Sequence, residues 1–399
     1  MITNRQLFTN YLAQTSDFPL CLEIERAEGT YMYDVDGKKY MDLISGISVS
    51  NIGHRHPKVL SAIKDQLDKY LHLMVYGEYI QSPQTKLASL LASHLPPALS
   101  CCYFVNSGSE AIEGALKLAK RYTGKTEIIT FNNAYHGSSH GALSIMGNET
   151  FKNSFRPLLP DIRICAFNQE NELEHITDKT ACVIIEPIQG EAGVRVPDYG
   201  FLRKLRRKCE QTNTLLIFDE IQTGFGRTGT LFAFEQFGVI PDILVMAKGM
   251  GGGMPIGAFI CSKEIMDSLK TNPVLGHITT FGGHPVSCAA SKACLEAILE
   301  EGLIDSIYEK EQLFKSLLLH PAIVEIRGKG LLLAIEFINY EFNKKVIDRC
   351  IEKGIITDWF LFCDNSMRIA PPLNIKMEEI EYACAIILKS INEIENEIL

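Results

Sequence analysis

Six short apolar runs, at residues 102–105, 127–131, 182–185, 215–218, 243–246 and 258–261, alternate with windows of helical periodicity. The runs are continuous rather than alternating in polarity. A strand with one solvated face alternates, whereas a strand covered by helices on both faces does not. Window 111–122 carries apolar residues at 111, 112, 115, 116, 118, 119 and 122, the spacing of one helix face. This pattern predicts an α/β fold built on a large, mostly parallel sheet. In such sheets ligands collect beyond the carboxyl ends of the strands.

At 399 residues the chain is too long for one ordinary core. After a helical stretch at 286–301, strand patterns at 323–327 and 330–337 are followed by helical patterns at 341–353 and 377–399. That succession predicts a smaller α+β domain. Near the start, Tyr31 to Tyr40 reads as a hairpin with Asp36-Gly37 at its turn. It is expected to pack with the C-terminal domain. The expected division is an N-terminal segment, 1–50, a large ligand-binding domain, 51–290, and a small domain, 291–399.

A net charge of −9 argues against a broad nucleic-acid or anionic-membrane surface. The one basic cluster, Arg203-Lys204-Leu205-Arg206-Arg207-Lys208, reads as a solvated helix face. Twelve cysteines are scattered without a CxxC pair, as in a chain that keeps reduced thiols. The N-terminus carries no signal-peptide pattern, and no run reaches the ~18 apolar residues of a membrane span. A cytoplasmic enzyme is expected. His54-Arg55-His56 has the HxH form of some zinc sites but lacks a supporting third ligand, so no metal is assigned.

The chemistry gathers at the predicted strand ends. Lys248 follows the run 243–246 and leads into Gly249-Met250-Gly251-Gly252-Gly253-Met254-Pro255. Asp219 ends the run 215–218. A lysine and an aspartate at the carboxyl ends of two such strands can converge in one crevice, as pyridoxal phosphate requires: an amine for the aldehyde and a carboxylate for the pyridinium nitrogen. The GxGxxG dinucleotide spacing fails after Lys248, because Met254 occupies the place of the third glycine. Asn106-Ser107-Gly108-Ser109-Glu110 follows a strand and opens a helix, where free backbone N–H groups suit a phosphate. Gly108 permits close approach, Ser107 and Ser109 add hydroxyl donors, and Ser107 with Glu110 fits a capping box. Tyr135-His136-Gly137, past another strand end, offers an aromatic partner for a flat ring. Ile221 could cover the ring's other face, and Gln222 could reach its phenolic oxygen.

The order of these motifs resembles the class III, or subgroup II, aminotransferases of pyridoxal-phosphate fold type I. Further matching strings are Gly53-His54-Arg55-His56-Pro57, the runs 186–191, 219–229 and 279–285, and Arg368-Ile369-Ala370-Pro371-Pro372-Leu373. The resemblance spans about residues 20 to 395. It implies a homodimer with its active site at the subunit interface, where Thr280 reaches the phosphate bound by the partner. It further implies that Glu191 and Arg368 form a switchable ion pair. Arg368 would clamp a substrate carboxylate, and Glu191 would neutralise it when an amine is presented instead. Glu186 would support Asp219 and Lys248 from behind.

The implied reaction moves a terminal amino group from an ornithine-, acetylornithine-, 4-aminobutyrate- or diamine-like donor to a keto acid such as 2-oxoglutarate. An aminomutase of the glutamate-semialdehyde type shares the motifs, and a silent homologue would share the fold. One departure bears on the substrate. The arginine that usually follows the aromatic-x-Gly turn is replaced here by Ser138, and His140 or Arg156 stand as candidate substitutes.

Overall fold

The computed structural model describes residues 2–398. Its large sheet contains β1 (Cys101–Val105), β2 (Glu127–Phe131), β3 (Ile162–Cys165), β4 (Thr180–Ile185), β5 (Leu215–Asp219), β6 (Ile243–Met246) and β7 (Gly257–Cys261). Their order across the sheet is β1-β7-β6-β5-β4-β2-β3. Strands β4, β5, β6 and β7 are buried along their whole length, which is why their sequences are apolar apart from Thr180 at the start of β4 and Asp219 at the tip of β5. The sheet is mostly parallel. Strand β7 is the exception, antiparallel to both β1 and β6. Burial on both faces does not distinguish strand direction, so this reversal had no signal in the run itself.

Helix α1 (Gly108–Thr123) begins directly beyond β1 and ends at Gly124, whose φ of 69° is readily reached without a side chain. Its Gly114 lies so close to β7 that a Cβ there would come within 2.3 Å of Phe259 Cε1. Helix α2 (Pro285–Glu300) packs across Pro57–Leu67 and Ser82–Ser93 on the other side of the sheet.

Two smaller sheets complete the molecule. Strands Ile24–Glu28, Tyr31–Asp34 and Lys39–Asp42 form an antiparallel meander, and Ile355–Ile356 joins it in parallel through Met41 and Asp42. The hairpin turn at Gly37 has φ +80°. The second sheet has the order Glu325–Lys329, Leu332–Glu336, Cys363–Ile369, Trp359–Phe360. Helices Ile307–Leu317, Tyr340–Glu352 and Met377–Ile398 supply its apolar cover, burying Phe314, Val346, Ile387 and Ile391. All twelve cysteines are free thiols. No helix among the described residues is long and apolar enough to cross a membrane.

Candidate active site

Strand ends β1, β5 and β6 open into one cavity of about 450 Å³. Lys248 lies two residues beyond β6 with φ +46°, a left-handed conformation that a lysine rarely adopts and that the surrounding packing must hold. Burial pulls its amine below the ordinary lysine value. Asp219, at the tip of β5, is 3 % exposed. Its Oδ1 accepts the Ile221 N–H at 3.0 Å, and its Oδ2 lies 2.7 Å from His136 Nδ1. His136 is also buried, and its Nε2 has no partner among the described residues. Sequence reading placed His136 beside the cofactor but did not identify it as the partner of Asp219. No pattern links residues 83 positions apart.

The anion cradle forms where α1 starts. Ser107 is the N-cap, and its hydroxyl accepts the Glu110 N–H at 3.2 Å. The expected capping box is only half present. Glu110 Oε2 turns back one residue too far and accepts from Asn106 N at 2.9 Å and Asn106 Nδ2 at 2.8 Å. Asn106 wins because it offers two donors where Ser107 would offer one. Ser109 Oγ accepts the Ser138 N–H at 3.3 Å, drawing the Tyr135–Ser138 turn over the helix end. That closeness requires Gly137, where φ is +128° and a Cβ would sit 2.2 Å from Ser109 Oγ.

Glu186 was expected to support Asp219 and Lys248 from behind, yet it hydrogen-bonds neither. Its oxygens accept the N–H groups of Tyr135 and Gly190, each at 3.1 Å. Support for Asp219 is therefore indirect, through the turn that carries His136. Burial pushes the Glu186 carboxyl up to about 7.

On the opposite wall, Arg368 Nη1 and Nη2 donate to the two Glu191 oxygens at 3.0 and 2.9 Å. Burial alone would raise the Glu191 carboxyl, but the charge and hydrogen bonds of Arg368 override it and hold it down to about 2. Glu191 also accepts from Gln222 Nε2 at 3.1 Å and from the Leu361 N–H at 3.1 Å. Glu191 lines the cavity, while Arg368 lies behind it, 1 % exposed. A further carboxylate, Asp358, accepts from Arg368 Nε at 2.9 Å. It went unread because an acid between β-rich residues carries no motif of its own.

Thr280 is exposed and lies outside the cavity of its own chain, 3.5 Å from the Tyr76 hydroxyl. Ser138 leaves the cavity without a cation at that position. Neither suggested substitute fills the gap: His140 Nε2 is 3.2 Å from the Pro157 carbonyl, and Arg156 pairs with Glu149 at 2.6 Å. The HxH histidines face separate acids, His54 with Asp42 at 2.8 Å and His56 with Glu301 at 3.2 Å.

These residues fit pyridoxal phosphate. Gln222 Oε1 is buried without a partner among the described residues, an acceptor for a phenolic O–H. The ring would pass over Ile221, whose Cδ1 would lie 2.8 Å from a Cβ at Gly108, so only glycine leaves both the cradle and the ring face open.

The sequence matches the family model for class III aminotransferases over residues 11–391. It is 40% identical to the acetylornithine aminotransferase of Methanopyrus kandleri over 385 residues, covering 96% of this chain and 97% of that one. The corresponding enzyme of Methanocaldococcus jannaschii is 40% identical over 384 residues, covering 93% and 92%. An ornithine aminotransferase structure from Toxoplasma gondii, described with partial PLP occupancy at its active site, superposes with a TM-score of 0.92 at 31% identity. The match covers 99% of this chain and 96% of that one. Fold and site together define a pyridoxal-phosphate transaminase of fold type I. The chain belongs to the class III aminotransferases.

Proposed function

We propose that this enzyme is an ω-aminotransferase of the acetylornithine/ornithine type, passing a terminal amino group to 2-oxoglutarate. The observation that carries the reading is a single cavity joining Lys248, the Asp219–His136 pair and the α1 cradle to a wall made by Glu191 over Arg368. The relatives' names supply the donor class.

Bound pyridoxal phosphate supplies an aldehyde for the amino group and a ring that takes up the electron pair released at the substrate carbon. Ser107, Gly108 and Ser109 would hold its phosphate, Asp219 its ring nitrogen, Gln222 its phenolic oxygen and Lys248 its aldehyde carbon. Tyr135 and Ile221 would bound the ring, with Glu186 bracing the Tyr135 turn. Lys248 Nζ, its basicity lowered by burial, takes the proton from the substrate carbon that bears the amine. During the donor half-reaction Glu191 keeps Arg368 neutralised beside an incoming amine. When the keto acid enters, Glu191 turns aside and the Arg368 fork takes a carboxylate.

The site is read as shared within a homodimer. Ile80, Val274 and Phe281 expose apolar surface around the segment that carries Thr280, which would reach the partner's phosphate. We also assign the chain to the cytoplasm and divide it into an N-terminal segment, 1–50, a cofactor domain, 51–290, and a small domain, 291–399.

A half-reaction screen tests the function. The yellow holoenzyme is mixed separately with acetylornithine, ornithine, 4-aminobutyrate, lysine and putrescine, and then with 2-oxoglutarate. Acetylornithine or ornithine should bleach the visible band, and 2-oxoglutarate should restore it. Silence with all five donors would refute the reading. Turnover that proceeds without any keto acid would replace it with a mutase.

A further inference from the structure

Arg368 is held along two different edges. Its Nη1/Nη2 fork meets Glu191, which faces the cavity. Its Nε edge meets Asp358, which does not line the cavity, at 2.9 Å. The backbone repeats that second contact, because the Arg368 N–H donates to the Asp358 carbonyl at 2.8 Å. Two further contacts lie on the same side. Arg368 Nη2 donates to the Trp359 carbonyl at 3.4 Å, and the Phe360 ring centroid lies 4.3 Å from the guanidinium carbon.

Glu191 is the partner that must leave when a substrate carboxylate arrives. At that moment the guanidinium, at the end of a long rotatable chain, would lose both carboxylate hydrogen bonds of its fork and keep there only the long Trp359 carbonyl contact and the Phe360 ring. A free arginine side chain carries about 2 kcal/mol of rotamer entropy, so without another anchor the fork would drift from the cavity. Asp358 supplies the missing constraint without competing for the edge that a substrate needs. A carboxylate exchanging for Glu191 also leaves the charge around Arg368 unchanged, so the Asp358 charge weakens both partners alike and largely cancels in the exchange.

We propose that Asp358 is the positioning residue of the carboxylate clamp, holding Arg368 by its Nε edge so that the fork stays aimed into the cavity while Glu191 and the keto acid change places. This rests on the reading of Arg368 as that clamp. A donor that binds while Glu191 stays closed does not call on it.

The test is ping-pong kinetics on reconstituted Asp358→Ala and Asp358→Asn holoenzymes, with acetylornithine and 2-oxoglutarate each varied in turn. Asp358→Ala should raise the 2-oxoglutarate KM about tenfold while kcat and the donor KM stay within about twofold, the loss of one charge-assisted hydrogen bond. Asp358→Asn keeps an acceptor oxygen for Nε and should recover most of that KM. An unchanged 2-oxoglutarate KM in Asp358→Ala overturns the proposal, as does an equal rise in both KM values. Arg368→Lys is the separating control. If it leaves the 2-oxoglutarate KM intact, the clamp reading itself fails; if it raises that KM and Asp358→Ala does not, only the role of Asp358 fails.

Discussion

At the scale of single residues, the substrate question turns on Ser138. The position faces solvent at the mouth of the cavity, its hydroxyl 3.2 Å from that of Tyr135, and His140 and Arg156 are both engaged elsewhere. Ser138→Arg should lower the KM of a carboxylate-bearing donor about tenfold, the worth of one charge-assisted contact, and leave the KM of putrescine no better. Steady-state kinetics with both donors decides it. Glu220 makes a different prediction. It is fully buried and caps Ala233 and Phe234 through their N–H groups at 2.8 and 2.7 Å. Burial outweighs those bonds and pushes its carboxyl up to about 7 from an ordinary 4.5. The folded protein thus binds this proton more tightly than the unfolded chain. Its contribution is full below pH 4.5 and is lost as the pH rises through 7. Glu220→Gln lacks the titration, so the Tm advantage of the natural protein over this variant should shrink between pH 5 and 8. A constant gap across a pH series would contradict the assignment.

At the scale of elements, the contact between α1 and β7 sets where the anion cradle sits. Gly114→Ala would gain up to ~1 kcal/mol in helix propensity. Its Cβ would arrive 2.3 Å from Phe259, whose ring is stacked on Tyr103 at 5.0 Å between centroids and has little room to turn. Overpacking of this kind costs about 1–3 kcal/mol, so the variant should lose Tm and, through a displaced helix end, bind pyridoxal phosphate more weakly. Thermal melts and a cofactor titration report the two effects. Most elements of the large sheet were legible because burial on two faces writes an unbroken apolar run. The strand β3 was not. Its Arg163 is exposed on a sheet edge, and a four-residue edge strand leaves little period to read. Strand Cys363–Ile369 was hidden for another reason: Asp364, Asn365 and Ser366 are poor strand formers, and Ser366 is held by its pairing with Glu336 while the Asn365 carbonyl accepts the Phe337 N–H at 2.9 Å. The site divides the same way. Lys248, Asp219, Ser107 and Gln222 belong to local strings, and the cavity gathers them. The contacts His136–Asp219 and Arg368–Asp358 depend on a turn and a strand crossing that no local string encodes.

At the scale of the whole molecule, strand Cys363–Ile369 of a four-stranded sheet carries Arg368, and Asp358 stands just before its neighbour Trp359–Phe360, while Lys248 and Asp219 stand at strand ends of the seven-stranded sheet, so no one sheet holds a complete site. The homodimer we propose adds a further requirement. Ile80 is 96% exposed and Val274 73%, apolar surface that a partner subunit would cover. Sedimentation should give about twice the 44.6 kDa chain mass. Ile80→Glu should dissociate the dimer and lower cofactor affinity, and Thr280→Ala should lower that affinity while leaving the dimer intact. A Thr280→Ala protein that retains pyridoxal phosphate as tightly as the natural one would exclude a cross-subunit contact.

Strand β1, which carries the cradle, lies at the edge of the sheet and, among the described residues, pairs only with β7. More than 150 residues of chain are made between the two, as the register Val105 to Gly257 shows. On a ribosome, therefore, the cradle has no sheet to stand on until β7 has emerged, and the arginine fork follows later still. Capture of pyridoxal phosphate by a nascent chain would mark the moment when the large sheet closes its final register, ahead of any competence to bind a keto acid.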